Sequence, residues 1–208
     1  MRRAGRLLLV CIALLLLPGC SRQPQLPHLA PDAVILAFGD SLTYGTGANV
    51  GESYPVKLEQ LLHRHVVNSG VPGETTAEGL QRLPLVLEEI RPQLMILCLG
   101  GNDFLRRLDS GETQENLRRM IQLARQRHVP VVLIGVPRLG LMPETAPLYA
   151  RLAKEMKVPL VSDVLQEVLS DPQRKSDYVH PNARGYSDMA QAIAQVLYDT
   201  GAVGQSAK

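Results

Sequence analysis

A serine that could act as a nucleophile follows the first apolar run of the chain. Ser41 belongs to the turn Gly39-Asp40-Ser41-Leu42, directly after the run 34–38. A strand that ends in such a turn exposes the next side chain, so the Ser41 hydroxyl could attack a substrate. Gly, Asp and Ser are also ordinary turn residues, and Ser is a good helix cap. Taken alone, this segment leaves a catalytic turn and a helix cap both open.

A second element, near the other end of the chain, provides a base for that serine. Asp177 stands three residues before His180, and Pro181 follows His180 directly. A serine hydroxyl needs a base to take its proton, and neutral histidine is the usual base near pH 7. Asp177 can accept the other ring N–H within the same loop. The pattern predicts Ser41 as nucleophile, His180 as base and Asp177 as orienting carboxylate, with Pro181 opening the last helix.

Two further residues could help to hold the oxyanion that forms when a serine attacks an acyl carbonyl. Gly73 lacks a Cβ, so its backbone N–H can come close to a ligand. Asn102, in Gly100-Gly101-Asn102-Asp103, offers an uncharged amide donor, and the Ser41 N–H at a helix start would be a third donor. A plain turn at Gly73 and a helix cap at Asn102 remain the alternatives.

The other histidines do not form a cluster of metal ligands. His63 and His65 flank a predicted helix-to-strand connection, His128 ends a predicted helix, and His28 lies near the N-terminus. Isolated histidines at such positions are more often capping or surface residues than ligands. We therefore predict no metal site.

The elements that must position these residues alternate along the chain. Short apolar runs predict five strands, and longer amphipathic stretches predict helices between them. This alternation indicates βαβ units and a parallel sheet covered by helices on both faces. Sites in such sheets form at the carboxyl ends of the strands, where Ser41, Gly73 and Asn102 fall. The predicted strands are 34–38, 65–68, 94–99, 131–136 and 160–161, and the predicted helices are 54–63, 76–90, 113–128, 144–156, 164–169 and 183–198.

Residues 1–19 predict an export signal. Arg2, Arg3 and Arg6 precede an apolar stretch, 7–17, that is shorter than the ~18 residues of a membrane-spanning helix. Leu-Pro-Gly-Cys at 17–20 resembles the bacterial lipobox, in which the cysteine becomes the lipid-modified first residue. We predict an exported protein that is lipid-anchored through Cys20 and faces the periplasm or the cell exterior. Ser21, in place of an aspartate, favours the outer membrane; ordinary cleavage with a free Cys20 is the alternative.

The rest of the chain predicts a tether at 20–31, one domain at 32–201 and a flexible tail at 202–208. The signal contains three of the 22 basic residues and none of the 20 acidic ones. The mature chain therefore has 19 basic and 20 acidic residues, a formal charge of −1. Such a balance argues against nucleic acid as a partner. Cys98 lies in an apolar run, so no disulfide framework is available. We expect a monomer.

Four blocks of the sequence resemble those of the SGNH, or GDSL, hydrolase family. They are Phe38-Gly39-Asp40-Ser41-Leu42, the segment 68–75 with Gly70 and Gly73, Gly100-Gly101-Asn102-Asp103, and Asp177-x-x-His180-Pro181, in the family's order. Arg82-Leu83-Pro84 and the run 97–103 make the chain similar to the bacterial acyl-CoA thioesterase I, lysophospholipase and arylesterase group. The resemblance implies a three-layer α/β/α sandwich with a five-stranded parallel sheet, similar to flavodoxin. It also implies Ser41, Asp177 and His180 as triad, Gly73 and Asn102 in the oxyanion hole, and no cofactor.

We therefore expect a serine esterase that hydrolyses medium to long acyl esters or thioesters through an acyl-enzyme on Ser41. Five residues after the third and fourth strands could line an acyl groove, or could only pack their own loops. A carbohydrate O-acetyl esterase is the alternative among hydrolases. A nucleotide-binding module is a weaker one, because the segment 45–51 does not fit the dinucleotide fingerprint. The five groove residues are Phe104, Leu105, Leu139, Leu141 and Met142.

Overall fold

A computed structural model of the chain describes residues 23–138, 140 and 143–204. In chain order the strands are β1 (Val34–Gly39), β2 (His65–Gly70), β3 (Leu94–Cys98), β4 (Val131–Ile134), β5 (Pro137–Arg138), β6 (Glu144–Thr145) and β7 (Leu160–Val161). The helices are α1 (Ser41–Tyr44), α2 (Tyr54–Leu62), α3 (Thr76–Ile90), α4 (Gly101–Leu105), α5 (Ser110–Gln126), α6 (Pro147–Met156), α7 (Val164–Ser170) and α8 (Ala183–Asp199).

The main sheet is parallel and has the strand order β2-β1-β3-β4-β7. Its central strands are buried apolar runs, as expected for a sheet with both faces covered. α2, α7 and α8 pack together on one face, and α3, α5 and α6 on the other. The predicted three-layer sandwich with a five-stranded parallel sheet is confirmed.

The strand order places a topological switch point at β1. The chain leaves β1 for β2 on one side and then crosses to β3 on the other, so Gly39 pairs with Gly70 and with Cys98. The loops after β1 and β3 therefore diverge above the same edge of the sheet, where ligands bind in folds of this type. This topology positions the residues that follow Gly39, Gly70 and Cys98 around one crevice.

The structure differs from the sequence prediction after β4. The predicted strand 131–136 ends at Ile134, and the chain then forms the short antiparallel pair β5 and β6. The predicted helix 144–156 begins only at Pro147, because proline favours the first turn of a helix and Glu144 pairs across to β5. α8 likewise starts after Pro181, with Asn182 as its N-cap.

The packed domain extends beyond the predicted boundaries 32 and 201. The Leu26 and Leu29 N–H groups donate to the Thr200 and Ala202 carbonyls, at 2.9 and 2.8 Å. Leu29, Ala202 and Val203 are buried in the core. The described part of the predicted tether is therefore docked against the end of α8, since its leucines bury apolar surface there. The predicted signal 1–19 and Cys20 lie outside the described residues, as do residues 205–208.

Within the ranges given above, no helix is both long enough and apolar enough to cross a bilayer.

Candidate active site

Ser41 is the first residue of α1, in a turn that requires a glycine at position 39. A Cβ on Gly39 would lie 2.1 Å from the Cys98 carbonyl oxygen and 2.3 Å from Thr43 Oγ1. Asp40 is the N-cap of α1, and its Oδ1 accepts the Leu42 N–H at 3.0 Å. The helix therefore starts at the sheet edge, and the backbone N–H of Ser41 has no partner within its own helix. Both interpretations of the turn hold here: Asp40 caps α1, and Ser41 lines the cleft.

The structure brings the three predicted triad residues together. Nε2 of His180 lies 3.1 Å from Oγ of Ser41, and Nδ1 of His180 lies 2.8 Å from Oδ2 of Asp177. The His180 side chain is 18% exposed and the Asp177 side chain 54%. A base within hydrogen-bond reach of the hydroxyl, oriented by a carboxylate on its other nitrogen, is the arrangement that activates a serine.

Hydrogen bonds within the loop hold Asp177 and His180 in this geometry. Asp177 Oδ1 accepts the backbone N–H groups of Val179 and His180, both at 2.8 Å. The Ser176 N–H donates to the His180 carbonyl at 2.9 Å, which closes the turn. Asn182 caps α8 with its side-chain oxygen and donates its amide to the Gln173 carbonyl at 3.0 Å. The acid and base therefore belong to one turn whose shape is set locally.

Asp177 is ionised in this setting. Partial burial raises the pKa of its carboxyl, but the hydrogen bonds from the His180 ring and from the Val179 and His180 N–H groups outweigh it. The pKa of Asp177 is consequently below its usual range. An ionised carboxylate fixes the tautomer that leaves Nε2 as the acceptor and stabilises the imidazolium that forms in the reaction.

Gly73 and Asn102, the predicted oxyanion donors, line the same cleft as Ser41. Gly73 has φ +84°, a conformation that favours glycine, and its carbonyl accepts Nη2 of Arg106 at 2.7 Å. Asn102 is the second residue of α4, and its Nδ2 donates to the Glu74 carbonyl at 2.9 Å. The same amide makes a longer contact of 3.4 Å with Asp40 Oδ2, so its second hydrogen is held only weakly beside the cleft.

A buried carboxyl beside Asn102 was not predicted from the sequence. Oδ2 of Asp40 lies 3.4 Å from Asn102 Nδ2, and Asp40 is 1% exposed. Burial raises the pKa of Asp40 to about 7; the Leu42 N–H opposes this, and the nearby carboxylates of Asp103 and Glu74 add to it. Asp40 was predicted only as a turn residue, since its burial depends on segments far away in the chain.

The cleft over Ser41 has a volume of about 240 Å³ and a largely apolar wall. Of the predicted groove residues, Leu105 lines it and Phe104 lines an adjoining cavity. Leu139, Leu141 and Met142 lie outside the described residues. Wall residues that the sequence did not single out are Leu42, Thr46, Pro72, Val136, Pro137, Leu169 and Val179. Most of these precede or follow a motif by a few positions, which is the only signal that could have found them.

Outside the cleft, the described part of the chain presents neither a metal centre nor a reactive thiol. Among the residues that the structure describes, no group of three or more His, Cys, Asp or Glu side chains is placed to hold a metal ion. Cys98 is buried in β3, and burial raises the pKa of its thiol, so it stays protonated.

Residues 37–187 match the GDSL-like Lipase/Acylhydrolase family. The chain belongs to this family.

Relatives and solved structures agree with that membership. The chain is 33% identical to "Esterase TesA" of Pseudomonas aeruginosa, over 80% of this chain and 89% of the relative. It is 31% identical to "Thioesterase 1/protease 1/lysophospholipase L1" of Escherichia coli K12, over 78% and 82%. The crystal structure of AlinE4, described as an SGNH-hydrolase family esterase, superposes with a TM-score of 0.63 at 36% identity and covers 81% of this chain and 96% of that one.

Proposed function

We propose that this protein is a serine esterase that cleaves acyl esters or thioesters through an acyl-enzyme on Ser41. The observation that carries the proposal is the hydrogen-bonded series Ser41 Oγ, His180 Nε2, His180 Nδ1 and Asp177 Oδ2, with contacts of 3.1 and 2.8 Å. Membership of a lipase and acylhydrolase family supports the same reaction class. The reaction needs only groups that the chain itself supplies.

In the first half of the reaction, His180 Nε2 takes the Ser41 proton while Oγ attacks the acyl carbonyl. The carbonyl oxygen becomes an oxyanion, which faces the Ser41 and Gly73 N–H groups and the Asn102 amide. The tetrahedral intermediate then collapses, and the imidazolium gives its proton to the departing alcohol or thiol. Asp177 stays ionised throughout and stabilises the imidazolium.

In the second half, a water molecule replaces the leaving group. His180 takes a proton from the water, the resulting hydroxide attacks the acyl-enzyme, and the proton returns to Ser41 Oγ as the acid departs. The same donors hold the second oxyanion, and the loss of one such donor raises a barrier of this kind by about 2.7 to 4 kcal/mol. The protein thus uses one set of groups twice.

The substrate class follows from the wall of the cleft and from the names of the relatives. Leu105, Val136 and Leu169 offer apolar surface next to Ser41, which suits an alkyl or aryl group better than a sugar ring with many hydroxyls. The two relatives are named esterase and thioesterase/lysophospholipase. A medium to long acyl ester or thioester is therefore the proposed substrate.

The test compares Ser41→Ala with the wild-type protein on a series of 4-nitrophenyl esters from acetate to palmitate. We expect Ser41→Ala to abolish hydrolysis and covalent labelling by a fluorophosphonate, with an unchanged circular dichroism spectrum. Ser187→Ala, at a serine that donates within α8, is the matched control and should keep both. Hydrolysis retained by Ser41→Ala contradicts the mechanism, and a rate that is highest for acetate and for acetylated glycans contradicts the substrate class.

Attachment to a bacterial membrane through a lipidated Cys20, after removal of residues 1–19, is also part of the proposal. Gln23 is hydrogen-bonded to the backbone of Leu160 through both side-chain atoms, at 2.9 and 3.1 Å. Three residues span at most about 11 Å, so an anchored domain would stay close to the lipid surface. Cys20→Ala should lose the mass of the acyl groups and leave the membrane fraction; an unchanged mass contradicts the anchor.

A further inference from the structure

A second cavity adjoins the cleft that holds Ser41, and the proposed mechanism does not use it. It has a volume of about 500 Å³ and lies between α4, the start of α5 and β5. Leu105 lines both cavities, which places them side by side. The second cavity combines apolar side chains with two arginines. Its lining residues are Phe104, Leu105, Arg107, Leu108, Ser110 and Arg138.

Arg138 is held in place from two sides. Its guanidinium lies 5.5 Å from the centre of the Phe104 ring, and Nη2 donates to Ser110 Oγ at 3.2 Å. Phe104 is itself supported by an edge-to-face contact with Tyr149, with ring centres 6.4 Å apart. A guanidinium has five N–H donors, and Ser110 is its one hydrogen-bond partner among the described residues. The Arg138 guanidinium is therefore held in one orientation and keeps further N–H donors for a ligand.

The two arginines differ from several other arginines that the structure describes in having no ion-pair partner there. Within the part of the chain that the structure describes, neither Arg107 nor Arg138 forms an ion pair. Glu144 lies opposite Arg138 in the β5–β6 pair without contacting it as an ion pair. Oδ1 of Asp109, the nearest carboxylate along the chain, accepts the N–H groups of Gly111 and of the residue after it. The cavity thus presents two arginines that are not engaged in ion pairs among the described residues, beside apolar surface.

We propose that this second cavity binds an anionic group carried by the same substrate molecule whose ester is cleaved at Ser41. Arginine recognises carboxylate, phosphate and sulfonate groups through paired N–H donors. Phe104, Leu105 and Leu108 provide the apolar surface for the part of the substrate that links the anion to the ester. The inference rests on the proposed esterase function and adds a substrate class: amphiphilic esters with a negative charge at a distance from the scissile bond.

The anion can belong to the acyl half or to the leaving group, and a set of three esters separates these sources. 4-Nitrophenyl octanoate is neutral, 4-nitrophenyl hydrogen suberate carries a carboxylate on the acyl half, and 4-sulfophenyl octanoate carries a sulfonate on the leaving group. A pH-stat measures kcat and KM for all three in the same way. The test protein is the double variant Arg107→Gln with Arg138→Gln, and both residues are exposed.

The matched control removes two arginines from another cavity. Arg91 and Arg127 line a cavity before β3 and β4, at the opposite end of the sheet, and Arg91, like Arg107, has a left-handed backbone with φ near +50°. The pair Arg91→Gln with Arg127→Gln therefore changes the net charge equally and leaves the proposed site intact. If loss of the Arg138–Phe104 contact disturbs folding of the double variant, the single variant Arg107→Gln is measured in its place.

We expect the Arg107 and Arg138 double variant to raise KM for one of the anionic esters by about tenfold, with kcat and the neutral ester within about twofold of wild type. The ester that responds identifies the half that carries the anion. In the wild-type protein, the difference in KM between that anionic ester and the neutral ester should shrink as added salt shortens the Debye length from about 30 to 3 Å. Equal KM changes for neutral and anionic esters, or for the control pair, overturn the inference alone. Wild-type inactivity towards all three esters overturns the esterase assignment with it.

Discussion

The two sides of the candidate triad are held in different ways. Ser41 follows the central strand β1, and its neighbours Asp40 and Leu42 are 1% and 5% exposed. The loop 171–182, which carries Asp177 and His180, is exposed along much of its length and is held by hydrogen bonds within itself. The nucleophile is thus positioned by the packing of the sheet, and the base by the local shape of one turn.

This difference separates stability from activity. Changes on the nucleophile side disturb buried contacts, so they should lower the free energy of unfolding together with the rate. Changes to Asp177 or His180 in the loop 171–182 affect groups held by local hydrogen bonds, so they should lower the rate at nearly constant stability. Four predictions test this separation, and the first three of them follow in order of decreasing effect.

Asp177→Asn should give the largest loss of activity at little cost in stability. Asparagine keeps the Oδ1 contacts with the Val179 and His180 N–H groups, but its amide places a donor against His180 Nδ1 and so favours the wrong tautomer. We expect kcat/KM to fall by about 10⁴ and the thermal midpoint to stay nearly constant. Asp171→Asn, which alters the Arg174 ion pair in the same loop, is the control and should keep its activity. A large loss of stability in Asp177→Asn would contradict the proposed separation.

Gly39→Ala should give the largest loss of stability. The new Cβ would lie 2.1 Å from the Cys98 carbonyl oxygen, a backbone atom in the adjacent central strand, so neither partner can move without distorting the sheet. We expect the free energy of unfolding in urea to fall by about 3 kcal/mol or more. Gly204→Ala, where a Cβ meets nothing within 4 Å, is the control. An unchanged urea midpoint for Gly39→Ala would show that the sheet edge is not rigid.

Gly47→Ala changes a contact between the segment that follows α1 and the loop 171–182. Its Cβ would lie 2.1 Å from Ser176 Oγ and 2.6 Å from the Pro181 carbonyl oxygen, so it would push the loop of His180 away from Ser41. Gly51 has a similar positive φ but open space around it. Both alanine variants should lose about 1 kcal/mol of stability through backbone strain. Only Gly47→Ala should lose about 10²-fold in kcat; equal activities would contradict a loop that this glycine positions.

The sequence was sufficient where structure is local or strongly patterned. The apolar runs predicted the parallel sheet and its layers, and the spacing of Asp177 and His180 anticipated a contact that the structure places within one turn. The motif glycines and Asn102 pointed to the strand ends, because parallel strands end at one edge. Ser41 was found at the end of β1, but only the spacing of Asp177 and His180 favoured a nucleophile over a helix cap.

What the sequence did not predict depends on contacts between distant segments. The β5–β6 pair is too short to give a periodic pattern, and the docking of Leu26 and Leu29 on the end of α8 joins the two ends of the domain. The pKa of Asp40 is raised by burial and, to a smaller extent, by the charges of Asp103 and Glu74, which are far from it in the sequence. Such environments follow from the assembled fold, so an acidic turn residue gave no hint of them.

The pH dependence of stability should have opposite signs on the two sides. Asp40 has a pKa of about 7 in the folded state and about 3.9 when unfolded, so its stabilising contribution is full below about pH 4 and is lost as pH rises through 7. The slope is about −1.4 kcal/mol per pH unit in that range. The lowered pKa of Asp177 acts the other way: its contribution is present above about pH 3.9 and is lost only in more acid solution.

Urea denaturation between pH 3 and pH 8 measures both effects. Asp40→Asn has no charge to bury, so its free energy of unfolding should gain on the wild-type value steadily from pH 4 to pH 7. The free energy of unfolding of Asp177→Asn should run parallel to the wild-type value from pH 4 to pH 7. Below pH 4 it should gain on the wild-type value by a small amount, because the Asp177 side chain is half exposed. Ser187→Ala, which removes no titratable group, should stay parallel throughout. A constant difference between Asp40→Asn and the wild type would mean that Asp40 is ionised in the folded protein, so that the buried side and the exposed side do not differ in charge.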